Sequence, residues 1–215
     1  MTRGLAWALG LFGLVVVATW WRPPWPVEQA MHSSLTLVAL VTLAWVHRRV
    51  GLSLRTWVWA LVFLTLHTIA ARWLYSYVPY DDWTAALLGF RLSDAFGWQR
   101  NHFDRLVHFS YGLCATMMLR TKPLRAMEVV LATSALYELF EWGVAAVLAP
   151  DMAEAYNGQQ GDIWDPHKDM ALAMLGALVA AAVSAVRGRR PTQPKVSSPP
   201  RRGTRPTVPS RTPPS

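Results

Sequence analysis

Residues 126–149 read AMEVVLATSALYELFEWGVAAVLA, 24 residues in which Glu128, Glu138 and Glu141 are the only charges. At about 1.5 Å per residue a helix of this length reaches across the roughly 30 Å of hydrocarbon in a bilayer. If it runs from the inner to the outer face, Glu138 lies roughly 16 Å below its outer end, near the midplane, and Glu141 lies one turn above. Residues three apart share a helical face. A charged side chain at that depth costs about 2.5–3.5 kcal/mol even on the lenient insertion scale. Two such carboxylates do not both ionise unless a cation or a proton lies between them. The stretch therefore predicts a membrane helix with chemistry on one side.

Working outward, five more apolar blocks lie near residues 5–21, 32–46, 54–74, 104–119 and 169–187. Together they predict an all-α, polytopic membrane bundle of six transmembrane helices over residues 1–187. With 53% hydrophobic and 16% charged residues in 215, the chain has the composition of one ordinary domain, but its apolar residues fall in blocks too long for a water-soluble core. The first block ends Ala18-Thr19-Trp20-Trp21-Arg22-Pro23, which lacks a small-x-small cleavage pattern and reads as a retained anchor. Cys114 is the single cysteine, which excludes a disulfide or thiolate cluster within one chain and leaves a small buried hydrophobe.

Loop charges set the expected orientation. Arg3, Arg48, Arg49, Arg55, Arg120, Lys122, Arg125 and the basic tail fall on one side, predicting both termini in the cytoplasm. Glu28, Asp81, Asp82, Asp94, Asp151, Glu154, Asp162 and Asp165 fall on the other, with aromatic residues suited to an interfacial belt, Tyr75 and Tyr156 among them. In the long loop near 75–101, Asp82 is expected to cap a short interfacial helix through Phe90 that lies as a lid. Residues 188–215 read as a disordered, basic, Pro/Arg-rich cytoplasmic tail. Since the net charge of +8 comes from the tail, the balance argues against nucleic acid as a partner. Gly112, Ala171, Ala173, Gly176, Ala177, Ala180 and Ala181 are small residues of the kind that let membrane helices approach closely.

Two further polar clusters join the Glu138/Glu141 pair. Near the start of the fourth block, Asp104 and His108 are four apart and share a face, with Tyr111 on the same stripe and His102 just before them. Gln159 to Met170 lead into the last block, where Asp165-Pro166 has the look of a helix start, and Asp162 and Asp169 remain unexplained by it. His67 in the third block reaches the same depth as His108. The expected metal ligands are His67, His102, Asp104, His108, Glu138 and Glu141, with Asp162 or Asp169 completing the site or acting as a general base. Oxygen and imidazole donors suit a divalent Zn, Mn, Fe or Mg ion. The bland alternative pairs the glutamates with Arg72 or Arg105 and makes Asp104 a helix cap.

His67, the run Arg100 to Phe109 with Tyr111 and Gly112, the Glu138/Glu141 pair before Trp142, and Gln160 through Met170 resemble the YjdF-like family of bacterial inner-membrane proteins over roughly residues 5–187. More distantly, Asp104, His108, Phe109, Glu138 and Asp169 are similar to the pattern of VanZ-like membrane proteins. The resemblance implies a multi-pass protein of the bacterial inner membrane linked to the cell envelope, and implies no particular reaction; the tail lies outside the family pattern. Three readings stay open. The first is metal-assisted chemistry on a membrane lipid or lipid-linked envelope substrate. The second is a structural or accessory membrane protein. The third is a proton- or ion-coupled transporter, for which a homo-oligomer would supply the missing half.

Overall fold

The computed structural model describes residues 2–119, 121–147 and 159–188. Its elements are all helical: α1 (Arg3–Thr19), α2 (Pro26–Val50), α3 (Leu54–Arg72), α4 (Tyr80–Leu88), α5 (Leu92–Phe96), α6 (Phe103–Leu119), α7 (Pro123–Val147) and α8 (Asp165–Gly188). No strand occurs among the described residues. Four helices, α2, α3, α7 and the Asp165–Val186 part of α8, are long and apolar enough to cross a membrane; α1 is a shorter apolar helix. The expectations for the tail from 189 onward, and for Asp151, Glu154 and Tyr156, lie outside the described residues.

Local chemistry sets the ends. Thr2 caps α1 by accepting from Leu5 N at 3.3 Å, and Ser53 caps α3 by accepting from Thr56 N at 3.2 Å. The second block spans 25 residues as α2, well beyond the expected 32–46. Pro26 starts it in the first turn, its last turn carries His47, Arg48 and Arg49, and Gly51 ends it at φ 69°. Hydropathy stopped at those polar ends although the backbone stays helical through them. Asp82 does not cap the lid helix. It lies in the first turn of α4 and pairs with Arg91 at 3.0 Å, while Asp81 accepts from Ser93 N at 2.9 Å and ties α4 to α5.

The helices are organised along the line α3, α6, α8. Helices α1 and α2 pack on α3, and α7 packs on α8 and α6. The most extensive pairing, α6 with α8, is made possible by glycine: a Cβ on Gly112 would lie 1.8 Å from the Ala173 carbonyl oxygen, and one on Gly176 would lie 2.0 Å from that of Phe109. Only hydrogen fits there, as in membrane helix pairs built on small residues. Ala173, Ala177 and Ala180 are buried along the same seam and Cys114 is buried too. The outward faces of α2 and α7 expose Leu37, Val38, Val41, Leu131, Leu136 and Trp142, the arrangement expected of helices solvated by lipid. Helices α6 and α8 start at the same end of the bundle. The polar residues gather there.

Candidate functional site

At the mouth of the bundle Asp162 and Asp165 are each paired with cations. Arg100 grips Asp165 with two guanidinium nitrogens, at 2.7 and 3.3 Å, and also reaches Asp162 at 3.4 Å. Asp162 in addition accepts from Arg105 at 2.8 Å and from Lys168 at 2.5 Å. The hydrogen bond from Lys168, joined by the charges of Lys168 and Arg105, holds the Asp162 carboxyl below the usual carboxylate range. Gln160 and Asn101 exchange side chain to backbone bonds at 2.9 and 3.0 Å, and Asn101 Oδ1 accepts from Phe103 N at 3.0 Å, starting α6. His102 accepts from Arg105 at 3.2 Å and lies against the Trp98 ring. Burial first, then the Arg105 and Arg100 charges, push its imidazole pKa down.

One turn deeper the pattern reverses. Asp104 and His108 meet on α6, with His108 Nε2 3.4 Å from Asp104 Oδ1, and Asp169 of α8 comes alongside. The three ligand atoms lie within 4.8 Å of one another. Neighbouring donors on a tetrahedral ion at about 2.0–2.2 Å stand about 3.4 Å apart, so the trio shares one ion after side-chain movements of about an ångström. Asp104 and Asp169 are each 4% exposed, and Asp169 Oδ1 has no hydrogen-bond partner among the described residues. On α7, Glu138 is buried with its Oε1 likewise unpartnered, and it lies within electrostatic reach of His108 and Asp104. Glu141, one turn along the same helix, is within electrostatic reach of Glu138 and His108. The arginines of the bland alternative are engaged elsewhere. Arg72 donates to the carbonyls of Thr19, Trp21 and Arg22 at the end of α1, and Arg105 belongs to the mouth.

The structure thus brings together Asp104, His108 and Asp169, with Glu138 and Glu141 beside them. It sets Asp162 and His102 apart, in the ion-paired mouth. His67 lies across a cavity of about 260 Å³, walled by α2, α3, α6 and α7, with His67 on one side and His108 on the other. His67 Nε2 donates to the His32 carbonyl at 3.2 Å, which leaves Nδ1 as the acceptor for the Tyr75 hydroxyl. Tyr75 is delivered by two consecutive residues in the left-handed region, Leu74 at φ 49° and Tyr75 at φ 59°, both buried. Bulky residues adopt that conformation only when their surroundings over-determine it. Sequence reasoning missed His32 and Tyr75. His32 sat at the edge of an apolar block and Tyr75 passed for a belt aromatic; no local signal marks either.

The comparisons with known proteins point to membrane proteins. The family described as "Predicted membrane protein (DUF2238)" matches residues 4–190. Among curated proteins, the chain is similar to the inner membrane protein YjdF of Escherichia coli (strain K12), with 33% identity over 135 residues. That match covers 56% of this chain and 60% of the relative, so the chain spans less than two thirds of the length of the relative it matches. No solved structure matches. With nearly its whole helical part matched, the chain belongs to the DUF2238 family of membrane proteins.

Proposed function

We propose that the protein is a six-span protein of the bacterial inner membrane, with both termini in the cytoplasm, and that Asp104, His108 and Asp169 hold a divalent metal ion used on a lipid or lipid-linked envelope substrate. The observation that carries this is the Asp169 carboxylate, 4% exposed, without a hydrogen-bond partner at Oδ1 among the described residues, and within 4.8 Å of donors on Asp104 and His108. An unpaired buried carboxylate is expensive, and a cation supplies the missing partner. Mixed oxygen and imidazole donors suit Zn, Mn, Fe or Mg. Such an ion, when bound, polarises an ester or phosphoryl oxygen and activates water. Glu138, buried with an unpartnered Oε1, and Glu141 beside it are placed to accept and return a proton next to the ion. Asp162, neutralised by three cations, serves in this reading to hold α6 and α8 in register and leaves the base to the deeper carboxyls.

The test is metal analysis of the purified protein. One ion per chain is expected, lost in His108→Ala and Asp169→Asn and kept in Asp162→Asn. A metal-free preparation that takes up none of these ions and shows no thermal shift on their addition overturns the reading. The buried Glu138, with its Oε1 unpartnered among the described residues, favours a second reading, a proton-coupled transporter. Under it, Glu138→Gln abolishes proton-driven uptake with metal content unchanged.

A further inference from the structure

The cavity between the two histidines has features the metal reading does not use. Its walls are mainly apolar, with Leu35 and Ala39 from α2 and Phe63 and Leu64 from α3. Most of its polar groups are satisfied within the protein: Tyr75 bonds His67, and Tyr111 bonds Thr133. Ser134 is the exception. It lines the cavity, is 3% exposed, and its hydroxyl has no hydrogen-bond partner among the described residues. Ser134 lies four residues before Glu138, hence on the same face of α7, one turn deeper. His108 belongs to the cavity wall and to the acidic cluster at once.

Size and position narrow the occupant. An apolar cavity of about 150 Å³ in a soluble protein stays dry and takes one benzene ring. At about 260 Å³ this one holds a small polar group and a few carbons, so the rest of any lipid chain lies outside it. Helix α2 packs on α3 and α7 packs on α8 and α6, so the remaining side of the cavity is the gap between α2 and α7, whose outer faces are the lipid-exposed ones. The surrounding solvent at that gap is hydrocarbon.

We propose that this cavity receives the polar end of a membrane lipid with a small head group, an oxygen of which accepts a hydrogen bond from Ser134 beneath His108, while the tail leaves between α2 and α7 into the bilayer. This names the substrate class for the lipid-directed reading above and rests on it.

The test is photolabelling of the purified full-length protein in lipid nanodiscs. The probes are palmitic acid carrying a diazirine beside its carboxyl group and, in parallel, hexadecanol carrying it beside the hydroxyl. Label is expected to concentrate on peptides containing Ser134 or His67, with the better probe distinguishing an acidic from a neutral head. Ala39→Trp, which fills the cavity, should cut labelling at least tenfold. Ser134→Ala should cut it roughly fivefold at limiting probe, the loss of one hydrogen bond. Leu136→Trp on the exposed face should leave it unchanged. Label spread evenly over exposed faces, or labelling indifferent to both Ala39→Trp and Ser134→Ala, overturns the proposal. If Ala39→Trp fails to fold, Ser134→Ala and competition by unlabelled palmitic acid decide. Cavity labelling in a protein that binds no metal sustains this proposal while removing the metal reading; a metal-loaded protein without cavity labelling does the reverse.

Discussion

The ends of α6 and α8 carry two clusters of charged residues, one turn apart, built on opposite logic. In the mouth, Asp162 and Asp165 meet Arg100, Arg105 and Lys168, and each acid is held by at least two cations. In the layer beneath, Asp104, Asp169, Glu138 and Glu141 surround one imidazole. A network with its charges matched locks helices. A layer of carboxyls in excess of its cations is a standing electrostatic cost, tolerated in membrane proteins chiefly where function uses it. The comparison predicts that substitutions of the same kind, acid to amide, have opposite signs in the two layers.

The largest effect belongs to the mouth. Asp165, 2% exposed, forms a two-pronged pair with Arg100, and removing one partner strands the other charge. Asp165→Asn or Arg100→Ala should destabilise the protein by about 3–5 kcal/mol, read as a lowered unfolding midpoint in detergent. A loss near zero would mean that the mouth is solvated and the contrast between the layers is false.

Next is the seam that holds the layers in register. Gly112→Ala puts a methyl group on the Ala173 carbonyl, a backbone atom that cannot swing aside as a side chain does. A cost of about 1–3 kcal/mol is expected from overpacking. Because Asp104 and His108 ride on α6 and Asp169 on α8, the same variant should lose the metal ion along with stability. Retained metal with lowered stability would show that the trio does not depend on this seam.

The deeper layer should answer with the opposite sign. In metal-free protein, Asp169→Asn removes a buried carboxylate whose Oδ1 lacks a partner, and should raise stability by about 1–2 kcal/mol. Adding the divalent ion should then favour the parent, by about 2.7 kcal/mol at a hundred times Kd, so that the two unfolding curves cross over. An Asp169→Asn variant less stable than the parent without metal would place Asp169 with the structural acids.

Which layer is which was only partly legible in the sequence. The apolar helices could be read because apolar runs report directly on the solvent, four of them long enough to cross a membrane, and the Asp104 and His108 face follows from a spacing of four. That Asp169 enters the bundle a turn after the helix start was visible as well. Asp162 looked equivalent to it, since nothing local says that Arg100 and Arg105, about sixty residues earlier, will neutralise it. His67 looked like another ligand for a related reason. Its donor and acceptor nitrogens are committed to the His32 carbonyl and the Tyr75 hydroxyl, and Tyr75 arrives through left-handed residues that no propensity favours. Pairings across distant segments escaped, while periodicity within one segment did not.

The smallest expected effect is the pH dependence that His102 contributes at the mouth. The His102 pKa is lowered in the folded state by burial and by Arg105 and Arg100, so between its folded value and the unfolded value of about 6.5 the unfolded chain binds the extra proton. The His102 contribution therefore rises with pH through that window and is lost as pH drops below about 6.5. Asp162, whose carboxyl is held down by Lys168, adds its own loss only at lower pH, as pH falls from about 3.8 through its folded value. Between about pH 7 and about pH 5 the unfolding midpoint of the parent should fall relative to that of His102→Gln, with Asp162→Asn parallel to the parent across this range. Equal slopes in parent and His102→Gln would mean that the acid sensitivity arises in the deeper layer, and the two layers would then have to be treated as one coupled network.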